Sequence, residues 1–172
     1  MDLTRLIRDI PDFPKPGIVF KDITPLLADA AGLRETIDQL AAPYRGQVDI
    51  VLGVESRGFI LGAATAYALG VGFGLVRKPG KLPWRTHQVS YELEYGRDTL
   101  EIHHDGVTPG QRVLLVDDLL ATGGTAAAAV ELVRKCNAEP VAAVFVVELA
   151  FLGGRQKLAP LPVRSLLRYD GE

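Results

Sequence analysis

Val113-Leu-Leu-Val-Asp-Asp-Leu-Leu-Ala-Thr-Gly-Gly-Thr125 is the stretch whose reading decides the fold. Val113 to Val116 is continuously apolar, the pattern of a strand buried on both faces. It stops at Asp117 and Asp118. A turn, Ala121-Thr122-Gly123-Gly124-Thr125, follows, and then an alanine-rich run that reads as a helix to Cys136. Strand, glycine-rich turn and helix in this order present backbone N–H groups and a positive helix end to an anion. Ala121 to Thr125 therefore reads as a phosphate cradle. It is not a Walker A loop, because no lysine follows the glycines, and it lacks the Gly-x-Gly-x-x-Gly of a dinucleotide fold. Two carboxylates beside the cradle would repel a bare phosphate. They suit a ligand that also carries hydroxyls, which carboxylates accept well, or a Mg²⁺ ion. A ribose 5-phosphate offers both. An Asp-Asp pair alone is more often a plain strand-end turn, so the weight rests on the combined pattern.

Outward from this stretch the same alternation recurs. Asp49 to Val54, Val71 to Val76 and Val141 to Val147 are short apolar runs that read as strands, and Ser56 to Leu69 reads as the helix between the first two. Apolar strands separated by helices predict an α/β fold with a mostly parallel central sheet flanked by helices. Upstream, Ala30 to Tyr44 reads as a helix. Leu3, Leu6, Ile7 and Ile10 have the spacing of a short amphipathic helix, ended by Pro11, Pro14, Pro16 and Gly17. The apolar patch Ile18-Val19-Phe20 then meets an expected polar turn at Lys21-Asp22. One region departs from the pattern. Lys78 to Gln88 is polar and proline-punctuated, as lids and binding loops are. It leads into two period-two segments, Val89 to Tyr95 and Thr99 to His103, which predict a β-hairpin at the sheet edge or projecting from it.

The 172 residues suffice for a single domain, 1–172, and the 19 Lys and Arg against 21 Asp and Glu leave a formal charge of −2. That charge offers no basic footprint for nucleic acid. Cys136 is the one cysteine, which leaves no internal disulfide framework and is compatible with a reducing compartment. The start shows no signal-peptide h-region and no run is long enough for a membrane span. A cytoplasmic protein without nucleic-acid or membrane partners is the expectation. His87, His103 and His104 lack metal-ligand spacing, and Cys136 reads as core.

Val113 to Thr125 resembles the phosphoribosyl-pyrophosphate motif of the type I phosphoribosyltransferases. Other segments extend the resemblance. Phe13 to Leu26 is similar to the N-terminal segment of the adenine-specific branch of that family, Gly53 to Phe59 to its pyrophosphate loop, and Arg77 to Pro83 with Tyr91 to Gly96 to its mobile catalytic loop. The resemblance implies the type I fold, with residues 1–28 as a hood over the base and 78–103 as the mobile loop and hairpin. It implies transfer of a phosphoribosyl group from phosphoribosyl pyrophosphate to adenine, giving AMP and pyrophosphate, with Mg²⁺ brought by the substrate. A homodimer is implied because Arg77 matches an arginine that reaches the neighbouring site.

The site residues it implies are these. Asp117 and Asp118 hold the ribose, and Ala121, Thr122, Gly123, Gly124 and Thr125 the 5-phosphate. Glu55, Ser56, Arg57, Arg77, Lys78 and Lys81 face pyrophosphate, with the Glu55–Ser56 peptide cis. Val19, Phe20 and Lys21 face adenine, although Val19-Phe20 alone reads as core. Glu94 is the acid/base, followed by Tyr95 in the loop; without the resemblance, Glu92 and Glu94 read as solvent-facing. Two alternatives stay open: transfer to guanine, xanthine or orotate, or a regulator that binds phosphoribosyl pyrophosphate without catalysis.

Overall fold

The computed structural model describes residues 1–93 and 95–171. In chain order the elements are β1 (Arg8–Ile10), β2 (Phe20–Asp22), α1 (Thr24–Ala28), α2 (Ala30–Ala41), β3 (Ile50–Val54), α3 (Arg57–Leu69), β4 (Gly72–Val76), β5 (Thr86–Glu92), β6 (Arg97–His103), β7 (Arg112–Leu120), α4 (Gly124–Lys135), β8 (Glu139–Leu149), α5 (Gly154–Leu158) and β9 (Val163–Tyr169). The central sheet has five strands in the order β4-β3-β7-β8-β9, and every pairing in it is parallel. The expected α/β architecture is present.

Successive residues of the central strands serve opposite faces, as the two-residue period requires. Val51, Leu114 and Val144 pack in one apolar layer with Leu26, Leu40 and Leu61 of the N-terminal helices and α3. Leu52, Leu115 and Phe145 pack in the other with Val130, Leu132 and Val133 of α4 and with Leu100 of the hairpin. Both faces are covered, which is why these strands read as unbroken apolar runs rather than as alternation. From β3 the chain passes through α3 to β4 on one side; it later returns on the other side as β7, then β8 and β9. The order reverses between β3 and β7. At such a reversal the loops after the two strands diverge and open a crevice at their carboxyl ends.

The structure corrects several expectations. Leu3 to Ile10 is not a helix: Leu3–Leu6 is a single 3₁₀ turn, and Arg8–Ile10 is β1, antiparallel to β2. Lys21 and Asp22, expected in a polar turn, lie in β2 and are buried. Their charges are satisfied there. The Lys21 ammonium meets Asp9 at 2.8 Å and lies 4.2 Å from the centre of the Tyr169 ring, and the Asp22 carboxylate accepts the N–H and hydroxyl of Thr24, both at 2.9 Å. β7 does not stop before the carboxylates but continues through Asp117 and Asp118 to Leu120, because β8 pairs with it that far. The chain also forms a fifth central strand, β9, which no apolar run announced: Arg164, Ser165 and Arg168 interrupt it, as an edge strand paired only with β8 permits. The hairpin begins earlier than expected, at Thr86, and β5 ends at Glu92, so Tyr95 lies in the turn. It is a separate two-stranded sheet, tied to the end of β4 by reciprocal backbone bonds between Arg77 and Glu101 of 2.9 and 2.8 Å.

Candidate active site

The crevice between β3 and β7 is a cleft of about 440 Å³ lined by Val54 to Arg57, Lys78 and the continuous stretch Asp117 to Ala126. Of the predicted residues, Glu55, Ser56, Arg57, Lys78, Asp117, Asp118 and all of Ala121 to Thr125 meet here. They come from separate parts of the chain, brought together by the strand reversal.

On the β3 side the Glu55–Ser56 peptide is cis, as the resemblance implied, and α3 starts at once with Arg57. Arg57 donates its Nε proton to Oδ2 of Asp118 and lies 5.6 Å from the centre of the Phe20 ring. It thus joins the carboxylate floor to the N-terminal segment. Gly58 is required by close approach: a Cβ there would stand 2.8 Å from Oδ1 of Asp117 and 3.3 Å from the carbonyl oxygen of Val116.

On the β7 side Asp118 is buried. Asp117 is half-buried, with its carboxyl turned inward: Oδ1 accepts the backbone N–H of Asp118 at 2.9 Å. Burial, and then the neighbouring Asp118 charge, hold the Asp117 carboxyl well above the usual carboxylate range; Arg57 opposes this only in part. The cradle beyond starts α4, with Gly123 at φ +88°. A Cβ on Gly123 would lie 2.5 Å from the carbonyl oxygen of Gly154, so the cradle is backed by the start of α5 with no room for a side chain. α5 is held in turn by Arg155, which binds the Glu148 carboxylate with Nε at 3.0 Å and Nη2 at 2.5 Å. Glu148 is only 2% exposed, and Arg155 and Ser165 keep its carboxyl below the ordinary value.

The predicted cations each face a carboxylate. Lys81 pairs with Glu55, Lys78 with Asp98, and Arg77 Nε stands 3.4 Å from Glu55 Oε1. The Lys78 backbone N–H also donates to Glu55 at 2.6 Å. Burial raises the Glu55 carboxyl, but Lys81 and the Lys78 N–H outweigh it and the net shift is downward. Arg77 Nε is the only buried side-chain nitrogen or oxygen without a hydrogen-bond partner among the described residues, although it faces the Glu55 carboxylate. Arg77 and Lys81 are not among the residues that line the cleft. No three His, Cys, Asp or Glu side chains converge as metal ligands among the described residues; the pair Asp117 and Asp118 suits an ion that shares its coordination with substrate oxygens and water, as Mg²⁺ does.

Toward the base side, Phe20 stands edge-on to Phe13 at 5.2 Å, beneath Arg57, and Val19 is half-buried beside it. The Lys21 side chain is committed to Asp9 and Tyr169 and does not line the cleft, so only its backbone is left for a base. Glu94 lies outside the described residues, and Tyr95 is exposed. His87 stacks on His104 at 4.0 Å, His103 meets Trp84 edge-on, and Cys136 is buried in the core; none of these is among the residues that line the cleft. Two residues were missed. Tyr91 reaches the cradle from the hairpin, its hydroxyl 3.1 Å from that of Thr125, and Gly154 backs the cradle. Tyr91 belongs to the segment Tyr91 to Gly96 that resembles the mobile catalytic loop, but no local pattern gave its contact with Thr125, and no pattern read in the sequence gave the position of Gly154.

Known proteins share this arrangement. Residues 20–160 match the phosphoribosyl transferase domain family. The chain is 61% identical, over 98% of its length and 99% of the relative's, to an adenine phosphoribosyltransferase of Syntrophotalea carbinolica. A crystal structure of adenine phosphoribosyltransferase from Thermoanaerobacter pseudethanolicus superposes with a TM-score of 0.95 at 51% identity, covering 98% of each chain. The Saccharomyces cerevisiae enzyme, complexed with adenine and an imino-altritol bisphosphate, superposes with a TM-score of 0.92 at 42% identity, covering 96% of this chain and 97% of its own.

Proposed function

This chain belongs to the adenine phosphoribosyltransferases, within the phosphoribosyl transferase domain family, and serves purine salvage by moving a phosphoribosyl group from phosphoribosyl pyrophosphate to adenine; we propose that the cleft between β3 and β7 is where it does so. The observation that carries this is the convergence in one cleft of a helix start on either side of a carboxylate pair: Ser56 and Arg57 opening α3, Asp117 and Asp118 in β7, and Ala121 to Thr125 opening α4.

The division of labour follows from charge. The 5-phosphate sits on the backbone N–H groups of Ala121 to Thr125 with the Thr122 and Thr125 hydroxyls. The ribose hydroxyls donate to Asp117 and Asp118. Pyrophosphate takes the donors at Ser56 and Arg57 with the charges of Arg77, Lys78 and Lys81, and Glu55 keeps those cations assembled. Adenine lies against Phe20, with the Val19 and Lys21 backbone reading its edge. The C1′–oxygen bond to pyrophosphate breaks as the N9–C1′ bond forms, and the N9 proton passes to water or to the departing pyrophosphate. Positive charge that develops on the ribosyl ring faces the two aspartates, a preorganised electrostatic arrangement of the kind usually worth about 3 kcal/mol per group. Glu94 exchanges a proton or hydrogen bond with the purine ring. Phosphoribosyltransferases generally use Mg²⁺, and here Asp117 and Asp118 would hold it through substrate oxygens, where it would offset charge on the departing pyrophosphate.

A cytoplasmic homodimer is part of the proposal. Ile60, Ala63 and Tyr67 form an exposed apolar stripe on α3, Tyr67 being 89% exposed, at the spacing of a helix face that packs on something. Sedimentation of the chain alone reads the dimer directly. For the reaction, phosphoribosyl pyrophosphate and Mg²⁺ are supplied with adenine, guanine, hypoxanthine or orotate and nucleotide is measured. AMP alone is expected. No product from adenine overturns the assignment, and equal products from several bases overturn its specificity.

A further inference from the structure

Tyr91 projects from β5 onto the start of α4. Its ring lies against Gly124, where a Cβ would stand 3.2 Å from Tyr91 Cδ2. Its hydroxyl meets two groups: the Thr125 hydroxyl at 3.1 Å and, across the hairpin, Oδ2 of Asp98 at 3.3 Å. Tyr91 and Asp98 are register partners on β5 and β6. Oδ2 of Asp98 also holds the Lys78 ammonium, while Oδ1 takes the Thr99 N–H at 2.9 Å. One chain of contacts therefore runs from the cradle to the cleft wall: Thr125, Tyr91, Asp98, Lys78.

Proton count restricts this chain. Tyr91 and Thr125 each have one hydroxyl proton. Asp98 is a carboxylate held ionised: burial raises its carboxyl, but Lys78 outweighs that and the net shift is downward. A charged acceptor takes the stronger bond, so Tyr91 donates to Asp98 and Thr125 donates to Tyr91. A phosphate in the cradle is a stronger acceptor than a phenol oxygen. Thr125 must then turn its proton to the phosphate, and Tyr91, which keeps donating to the Asp98 carboxylate, loses the proton that Thr125 gave it. The hydroxyl contact that joins the hairpin to the cradle is thereby broken, and with it the link from Thr125 through Tyr91 to Asp98 and Lys78.

We propose that Tyr91 is a positioning residue that couples occupancy of the cradle by a phosphate monoester to the placement of the β5–β6 hairpin and of Lys78. This rests on the reading of Ala121 to Thr125 as the 5-phosphate site. The Tyr91 ring anchors the hairpin to α4, and its hydroxyl carries the signal.

The test uses ribose 5-phosphate on the full chain, with binding measured by calorimetry and the hairpin followed by fluorescence. Trp84, the one tryptophan, precedes β5 and stands edge-on to His103 of β6. In the unsubstituted chain the Trp84 emission changes along the same saturation curve as the heat. Tyr91→Phe keeps the ring. It binds ribose 5-phosphate at least as tightly, up to about 10-fold more so, because the phosphate no longer has to draw the Thr125 proton away from Tyr91; it loses the emission change, and in turnover lowers kcat more than it changes KM for adenine. Binding without an emission change in the unsubstituted chain overturns the coupling. So does a Tyr91→Phe chain that responds as the unsubstituted one does, or that no longer binds at all, since Tyr91 would then be only a prop. Failure of the underlying reading looks different: ribose 5-phosphate fails to bind the unsubstituted chain, or Thr125→Ala leaves its affinity unchanged.

Discussion

Arg57 and Asp118 meet across the floor of the cleft, the Nε proton of the first residue of α3 given to the carboxylate near the end of β7. One contact ties the two strands whose divergence opens the site, and the same guanidinium covers Phe20. Arg57 therefore joins three of the four proposed ligand regions, those for ribose, pyrophosphate and adenine.

Arg57→Ala is expected to raise KM for phosphoribosyl pyrophosphate by about 10- to 100-fold, the loss of one or more charge-assisted hydrogen bonds. The melting temperature should fall by several degrees as well, because the substitution leaves the buried Asp118 carboxylate beside Asp117 without its cation. Steady-state kinetics beside a thermal melt separates the two.

Asp118→Asn keeps an acceptor for Arg57 and removes the charge that faces the ribosyl centre. Turnover is expected to fall by about 100-fold or more, with KM for phosphoribosyl pyrophosphate changed much less. Equal losses in kcat and in affinity would contradict a role confined to the transition state.

Asp117→Asn has the opposite sign for stability. A carboxyl whose folded pKa is raised contributes its full stability only below the unfolded value and loses it as pH rises through the folded one. Asp117 is such a group, so at neutral pH its charge opposes folding. The asparagine variant should melt about 2–4 °C higher at pH 7–8, the change that about 1 kcal/mol makes in a chain of this size. That gain should vanish below about pH 4, where the carboxyl is protonated in both states. Melts across that range, with activity reduced throughout, provide the check.

Gly154→Ala would place a methyl 2.4 Å from the carbonyl oxygen of Ala121 and 3.0 Å from the Gly123 nitrogen. The cradle must then shift, and a displacement well under 1 Å is enough to misalign backbone donors. KM for phosphoribosyl pyrophosphate is expected to rise about 10-fold or more while adenine binding is spared, a contrast that separate substrate titrations reveal.

Glu94→Gln is expected to fold and to bind phosphoribosyl pyrophosphate while turnover falls by about 10²- to 10⁴-fold, the usual contribution of a general acid–base group. Rapid-quench kinetics with saturating substrates measures this; unchanged turnover removes Glu94 from the mechanism.

The central strands and their helices were legible because both faces of the sheet are buried and composition alone marks such segments, as Val51 to Val54 and Val113 to Val116 do. The first ten residues misled because Leu3, Leu6, Ile7 and Ile10 have helical spacing. Three residues of backbone pairing to Phe20–Asp22 outweigh that periodicity, a nonlocal contact that no local window contains. β9 was missed for a related reason: its arginines and serine read as loop until β8 supplies the pairing and Glu148 the partner for Arg155 and Ser165.

Taken by itself, the sequence determined the alternation of strand and helix, the turns after β3 and β7 that open α3 and α4, and the carboxylates between them, because these depend on residues adjacent in the chain. Tertiary structure alone decided which side chains face the ligand. It turned the Lys21 ammonium away to Asp9, set Arg57 on Asp118, backed Gly123 with Gly154 and laid Tyr91 on Thr125. Each of these is a contact between segments far apart in the chain, and strand order, not local spacing, determines which distant groups come within hydrogen-bond reach.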